Sequence, residues 1–398
     1  MLTAQQQNIP VSSCTAAPPR ISTPISIEPS LQIAGNSQHY LSKLGSFRQE
    51  KIMAPRRRSS VVKTTHVAHS TIDAAKAASK AEESQLRRVP SPVRFLLVVF
   101  NSLLLSSVLF TMTSSVTLGE LGRVSKHLEA WWEVGGLMLW KAVEVGLAWV
   151  LGFDGRDVLS FTFLAHLPTY SLLWSFYGIR PTTILASYGI TLISTAIPFI
   201  LLRRPSSVHN LRQTASDAVP NRFILQDRPT ALYTSVAATA IYSVALYLSY
   251  ATWLPAYLVV HFENIPDIRL AHTGPAGLPI LFLTLLPAGW AARDFLFVSS
   301  TGASSSDTSV KSKSANEGEY LVCGVYRRTW GTLSAKTRVL VSRTALLASM
   351  IVLNTVFQVA GTVRGVDVPG ATMWAAIWGA ATVAVGGVFG WIEAVDGV

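Results

Sequence analysis

Trp131–Phe153 reads WWEVGGLMLWKAVEVGLAWVLGF, and whether this stretch crosses a bilayer decides how the rest of the chain is laid out. Its length suits a crossing, because about 20 apolar residues span a hydrocarbon core of ~30 Å. Against that stand Glu133, Lys141 and Glu144. An ionised side chain at mid-bilayer costs at least ~2.5–3.5 kcal/mol. Hydropathy alone leaves the stretch open, so the loop charges elsewhere must decide it.

Seven other apolar blocks of similar length follow or precede it: Val93–Met112, Val158–Tyr177, Thr182–Leu202, Ala231–Leu254, Ala276–Phe297, Val341–Val363 and Ala371–Trp391. The chain is 49% hydrophobic and only 14% charged, against about 25% charged in soluble domains. With eight spans and the N-terminus inside, the inner loops are 153–157, 203–230 and 298–340. They hold one, five and six Arg or Lys, twelve in all, against five in the outer loops (Arg123, Lys126, Arg180, Arg269 and Arg364). Short cytoplasmic loops carry such an excess. Removing Trp132–Leu151 as a span puts the basic tail and the two basic loops on opposite sides. The predicted fold is therefore an all-α polytopic bundle of about eight transmembrane helices behind a disordered N-terminal tail.

Residues 1–90 form a tail rich in Ser, Ala, Gln and Pro, too polar to offset the entropy of ordering. A short Ala-rich helix is expected near 71–88, capped by Ser70 or Thr71 and ended by Pro90 and Pro92. The cluster Arg56-Arg57-Arg58 reads first as a charge anchor on the cytosolic side. Met53 is an alternative start. The net charge of +11 is concentrated in the tail and two loops, which points to topology control rather than nucleic-acid binding. No basic n-region and apolar h-region open the chain. An endomembrane location with a cytosolic N-terminus is expected, the mitochondrial inner membrane being the runner-up. The expected partners are the lipid bilayer and proteins engaging the tail and the loop 298–340, whose Ser-rich part 299–318 should be flexible.

At about 100° per residue, Glu133, Lys141 and Glu144 fall within about 80° of one another on a helix. The stripe reads in two ways: a lining for a solute or proton path, or a Lys141–Glu144 pair at i,i+3 that locks the helix to its neighbours. Arg293 and Asp294 close the sixth span after Pro287 and point about 100° apart. Asn354 and Gln358 lie one turn apart on the seventh, a pattern that glues helices together. Gly386 and Gly390, four apart on the eighth beside Ala376, Ala380 and Ala384, allow close backbone approach.

Leu167-Pro168-Thr169-Tyr170 and Leu254-Pro255-Ala256-Tyr257 echo each other and suggest a repeated hairpin. His261, Glu263, Asp267 and His272 share an outer loop without zinc-motif spacing. Cys14 and Cys323 are too few for a disulfide framework. With no HExxH, GxSxG, Walker loop or GxGxxG entering a helix, neither a metal nor a cofactor is expected. The first functional expectation is a small-solute or ion transporter or channel-like protein, the alternative a non-catalytic membrane scaffold or assembly factor. An intramembrane lipid-modifying enzyme, with His166 or the outer His–Glu loop meeting an acid, comes third. A cavity lined by Glu133, Lys141, Glu144 and Asn354 would favour transport, and closed pairing of those groups the scaffold.

Overall fold

The computed structural model describes residues 90–395 apart from 128, 212–218, 220, 264, 267, 269–273, 304–329 and 331–332. The tail to residue 89, the helix expected at 71–88 and most of the loop 299–318 lie outside the described residues, as do Cys14, Cys323, Asp267 and His272. Among the described residues the chain is helical, with two isolated antiparallel bridges, Ser125 to Val363 and Phe262 to Val366.

The helices are α1 (Ser91–Met112), α2 (Ser114–Val124), α3 (Trp131–Val150), α4 (Gly155–Ser175), α5 (Pro181–Leu202) and α6 (Arg222–Gln226). They continue as α7 (Arg228–Ala251), α8 (Leu254–His261), α9 (Gly277–Ala292), α10 (Val298–Thr301), α11 (Ala335–Thr362) and α12 (Val368–Val395). Six stretches are long and apolar enough to cross a membrane: α1, α5, α7, Gly274–Thr301 (which contains α9 and α10), α11 and α12. The helices α3 and α4, of 20 and 21 residues, have the length but not the apolarity. In α3 the reason is its three charges. In α4 it is Ser160, Thr162, His166 and Thr169, all buried, because protein rather than lipid surrounds this helix. It packs on α5, α9 and α11, while α11 packs on α12, α12 on α7, and α7 on α9.

Chain order alternates between two ends. At one end lie 153–157, 203–211, 293–301, the start of α11 and Glu393; cross-links there include Asp154 to Ser206 N–H (2.8 Å) and Asn221 to the Thr301 carbonyl (3.2 Å). At the other, Lys126 N–H donates to Thr362 (2.7 Å), Arg364 N–H to Val124 (2.9 Å) and Glu263 N–H to Gly365 (2.7 Å). The first of these ends is the basic one. Helix starts there are capped by side chains: Asp154 accepts from Asp157 N–H (2.8 Å), Asp227 from Thr230 (3.2 Å) and Ser334 from Thr337 (3.1 Å), which satisfies donors that the first turn leaves free.

Three expectations are corrected. The span expected to reach Leu254 ends at Ala251, because Thr252 and Trp253 leave the helix and Pro255, in the first turn of α8, cannot continue it. Pro168, by contrast, sits inside α4. The echo between Leu167–Tyr170 and Leu254–Tyr257 therefore joins unlike structures. Residues 299–301 belong to α10 rather than to a flexible loop, since Arg293–Phe297 form a π-helical turn that carries α9 into α10. The two helices α2 and α8 occupy what the sequence marks only as connections.

Close helix approach uses glycine at Gly289 and Gly386, among other positions. A Cβ on Gly289 of α9 would meet the Ser235 carbonyl and Thr239 of α7, and one on Gly386 of α12 would meet the Thr344 side chain of α11. Gly390 lies against Leu340 with more room, at 3.5 Å. Ala376, Ala380 and Ala384 instead face outward, beside a shallow space shared with Ile241, Ala245 and Ser249 of α7. Gly386→Val should therefore lower stability by about 1–3 kcal/mol through overpacking. Gly387→Val, where an added Cβ meets nothing within 4 Å, should change it little. Unfolding of the purified protein in detergent checks the contrast, and equal effects would refute the packing role of Gly386.

Candidate functional site

Four of the sequence-selected residues converge in the middle of the bundle. Lys141 and Glu144 come from α3, Asn354 and Gln358 from α11, and α4 contributes His166 between them. Glu144 is 1% exposed and accepts from Lys141 Nζ at 3.0 Å. His166 Nε2 lies 3.1 Å from Glu144 Oε1, and Nδ1 lies 2.9 Å from the Gln358 amide nitrogen. Nδ1 also lies 3.2 Å from the Gln358 amide oxygen, and the shorter contact to the amide nitrogen suits Nε2–H donating to the carboxylate and Nδ1 accepting from Gln358. The opposite charges of Lys141 and Glu144 offset each other, as low-dielectric surroundings require.

Asn354 is fully buried and satisfied at both ends of its amide. Its oxygen accepts from Trp140 Nε1 (2.9 Å) and its nitrogen donates to the Ala165 carbonyl (2.9 Å). Trp140 also stacks on Phe357 with centroids 4.4 Å apart. The network thus ties α3, α4 and α11 together through hydrogen bonds that lipid cannot supply.

Glu133 is not part of it. It lies at the far end of α3 and pairs with Lys126 at 3.5 Å. A cavity of about 300 Å³ adjoins the network, with Phe110, Leu137, Trp140, Lys141, Tyr170 and Gln358 in its wall. Of the four residues whose shared exposure would have marked a pathway, Lys141 alone reaches this cavity. Glu133, Glu144 and Asn354 do not line it.

Arg293 and Asp294 lie at the basic end in a separate cluster. Asp294 pairs with Arg156 at 3.0 Å. Asp157 is held by both terminal nitrogens of Arg343 (2.8 and 3.2 Å), whose guanidinium also donates to the Phe295 carbonyl (3.0 Å) and lies about 5 Å from the rings of Phe153 and Phe295. Asp154 accepts from His209 Nδ1 at 2.8 Å. Asp154, Asp157 and His209 bring possible ligand atoms within 4.8 Å of one another, but both carboxylates are already engaged, Asp157 by a fork of two N–H groups. Their chemistry is that of ion pairing.

Sequence reasoning placed His166 in a span without a partner and passed over Asp154, Asp157, His209 and Arg343. Asp154-Gly155-Arg156-Asp157 before an apolar run is a capping pattern that was available. Their partners were not, because Asp157 and Arg343 are 186 residues apart.

The arrangement is that of a polytopic α-helical membrane protein in which Lys141, Glu144, His166, Asn354 and Gln358 are paired within the bundle. Residues 227–357, about a third of the chain, match the family described as Bouquet formation protein 3 C-terminal domain. The matched segment runs from the cap of α7 into α11. It includes Arg293, Asp294 and Asn354, stops one residue before Gln358, and takes in neither α3 nor α4. No curated protein and no solved structure matches the chain.

Removing one partner of a buried ion pair costs about 3–5 kcal/mol, whereas apolar replacement of both is often near neutral. Glu144→Leu should therefore destabilise the bundle by about 3 kcal/mol, the low end because the Lys141 side chain is one-fifth exposed. The double variant Lys141→Met/Glu144→Leu should recover only part of that loss, because His166 still lacks the carboxylate its Nε2 meets. Denaturant titration of the purified protein measures both. An unperturbed single variant would show that Glu144 does not hold α3 in place.

Proposed function

We propose that the chain is a non-catalytic membrane scaffold or assembly factor that crosses the bilayer eight times, with its basic end in the cytosol. The observation that carries this reading is the closure of the polar core: Glu144, Lys141, His166, Gln358 and Asn354 each bond to another protein group. A solute path would need Glu144 and Asn354 on a cavity wall, whereas of the five only Lys141 and Gln358 border the adjoining cavity. The intramembrane-enzyme reading gains a His–Glu contact, yet neither His166 nor Glu144 lines the adjoining cavity.

The matched family supports an assembly role, since its description refers to a formation protein. The outer surface offers room for partners. In α1 only 11% of the apolar window is buried, and Leu96, Phe100, Leu104 and Met112 face outward. Counting α3 and α4 as crossings keeps the twelve inner-loop cations on one side, as the positive-inside rule requires. An endomembrane location fits this orientation.

Extraction of the tagged full chain from native membranes into lipid nanodiscs, followed by mass measurement, tests the proposal. A discrete complex heavier than one 43.1 kDa chain is expected, and Glu144→Gln should leave its mass unchanged if the variant folds. Purified protein in vesicles should pass ions and small solutes no faster than empty vesicles. Solute flux abolished by Glu144→Gln, together with a lone chain in the nanodisc, would overturn the scaffold reading.

A further inference from the structure

Around Arg293 and Asp294 the charges do not balance: three carboxylates, Asp154, Asp157 and Asp294, meet four guanidiniums, Arg156, Arg203, Arg293 and Arg343, while the buried Glu393 of the same end is held by the hydroxyls of Ser300 and Thr301. The three carboxylates are taken by His209, Arg343 and Arg156 respectively. Arg203 donates to the Trp149 carbonyl at 2.9 Å and lies over the indole of the same residue. Arg293 is left over. It is 6% exposed, its guanidinium sits 5.5 Å over the Trp290 ring, and its buried Nε has no hydrogen-bond partner. Asp294 follows it directly but is turned toward Arg156. A buried cation without an acceptor is among the least favourable groups a protein can hold.

His209 carries the second vacancy. Its side chain is 2% exposed, Nδ1 bonds Asp154, and Nε2 is buried without a partner. Burial opposes protonation of His209, but the Asp154 hydrogen bond and the charges of Asp157, Asp154 and Asp294 outweigh it and raise its pKa. In the imidazolium both ring nitrogens donate. Arg293 and His209 line the same cavity of about 340 Å³, together with Arg156, Asp294 and Gln226, against an apolar wall of Leu225 and Val298.

We propose that this cavity binds a phosphate group. Phosphate suits the donors because a guanidinium and an imidazolium offer several directed N–H groups at once, and charge-assisted bonds of this kind are the strong ones. The volume, at the lower end of the ~300–1,000 Å³ typical of small-molecule sites, leaves space beyond the phosphate for a small organic part. The committed Arg156–Asp294 pair closes one side and disfavours bulky anions of high charge. Because the cavity lies where the helices of a membrane bundle end, the phosphate comes either from a lipid headgroup or from a small soluble phosphomonoester.

The full-length protein, purified in a neutral detergent without phosphate, provides the test. Inorganic phosphate and glycerol phosphate should raise its thermal midpoint, with chloride and acetate at equal ionic strength giving no comparable rise. Nanodiscs of phosphatidylcholine with and without phosphatidic acid form the second arm. Stabilisation by the soluble phosphates alone identifies a soluble ligand; stabilisation by phosphatidic acid identifies a headgroup. Both support the site. Arg293→Met should weaken phosphate binding by at least about tenfold, the loss of one charged hydrogen bond, without lowering the midpoint of the ligand-free protein. His209→Asn should weaken binding several-fold and carries the test if Arg293→Met does not fold. The proposal fails if neither phosphate source stabilises the wild-type chain, if chloride and acetate act equally well, or if the folded variants respond as the wild type does.

Discussion

A carboxylate inside a membrane bundle persists only if the protein supplies what water would have supplied, and the arrangement around Glu144 follows from that constraint. Of the 20 residues of α3, the buried ones are Glu144, Val145 and Ala148. Most of the remaining surface is apolar and turned outward, where lipid competes with protein on equal terms. Val145 and Ala148, with the partly buried Trp140, Leu147 and Trp149, set the inward face of such a helix. A carboxylate that must meet both Lys141 and His166 favours one rotation and depth. The same need fixes His166, whose second nitrogen takes the amide of Gln358, and so fixes α11 against α4. Position follows from the polar bonds as well as from the apolar contacts. This is the use of buried polar groups for which specificity, rather than stability, is the physical rationale.

That constraint also accounts for what could and could not be read from residues alone. Apolar blocks mark the six stretches long and apolar enough to cross a membrane, because lipid acts on each helix separately and leaves a local signal. Their ends agree with expectation to within a few residues, except where geometry beyond hydropathy intervenes. The break after Ala251 and the π-helical turn at Arg293–Phe297 are examples. The helix α4 was legible as a block, yet its central position was not. Its polar residues are tolerated only because other helices cover them, which is a property of the whole bundle.

In the site, Lys141–Glu144 and Asn354–Gln358 were visible because each pair lies within one turn of a helix. The meeting of the two pairs was not, since His166 joins them across separations of 22 and 192 residues. Glu133 shared the face of Lys141 and Glu144 by angle, but angle ignores depth. Its position in the first turn of α3 puts it within reach of Lys126 at the bundle's end. The basic-end cluster went unread for the same reason as the His166 links: its partners come from α4, the loop after α5, the π-helical turn and α11.

The core and the basic end hold their buried charges differently. In the core each charged or amide side chain is answered within the bundle, by a group reached from another helix or one turn away. Of that network only Trp140, Lys141 and Gln358 border the adjoining cavity. At the basic end Asp154, Asp157 and Asp294 are answered in the same way, but Arg293 Nε and His209 Nε2 are buried without a partner. Desolvation there is partial, so a surplus cation is less costly than it would be near Glu144. It is still costly enough that a buried guanidinium should hold an acceptor. A bundle that pairs its charges across 138 and 186 residues of sequence has the means to provide one internally. Where it leaves the position open, beside a cavity and a second unanswered nitrogen, the missing acceptor is most simply a molecule that arrives from outside.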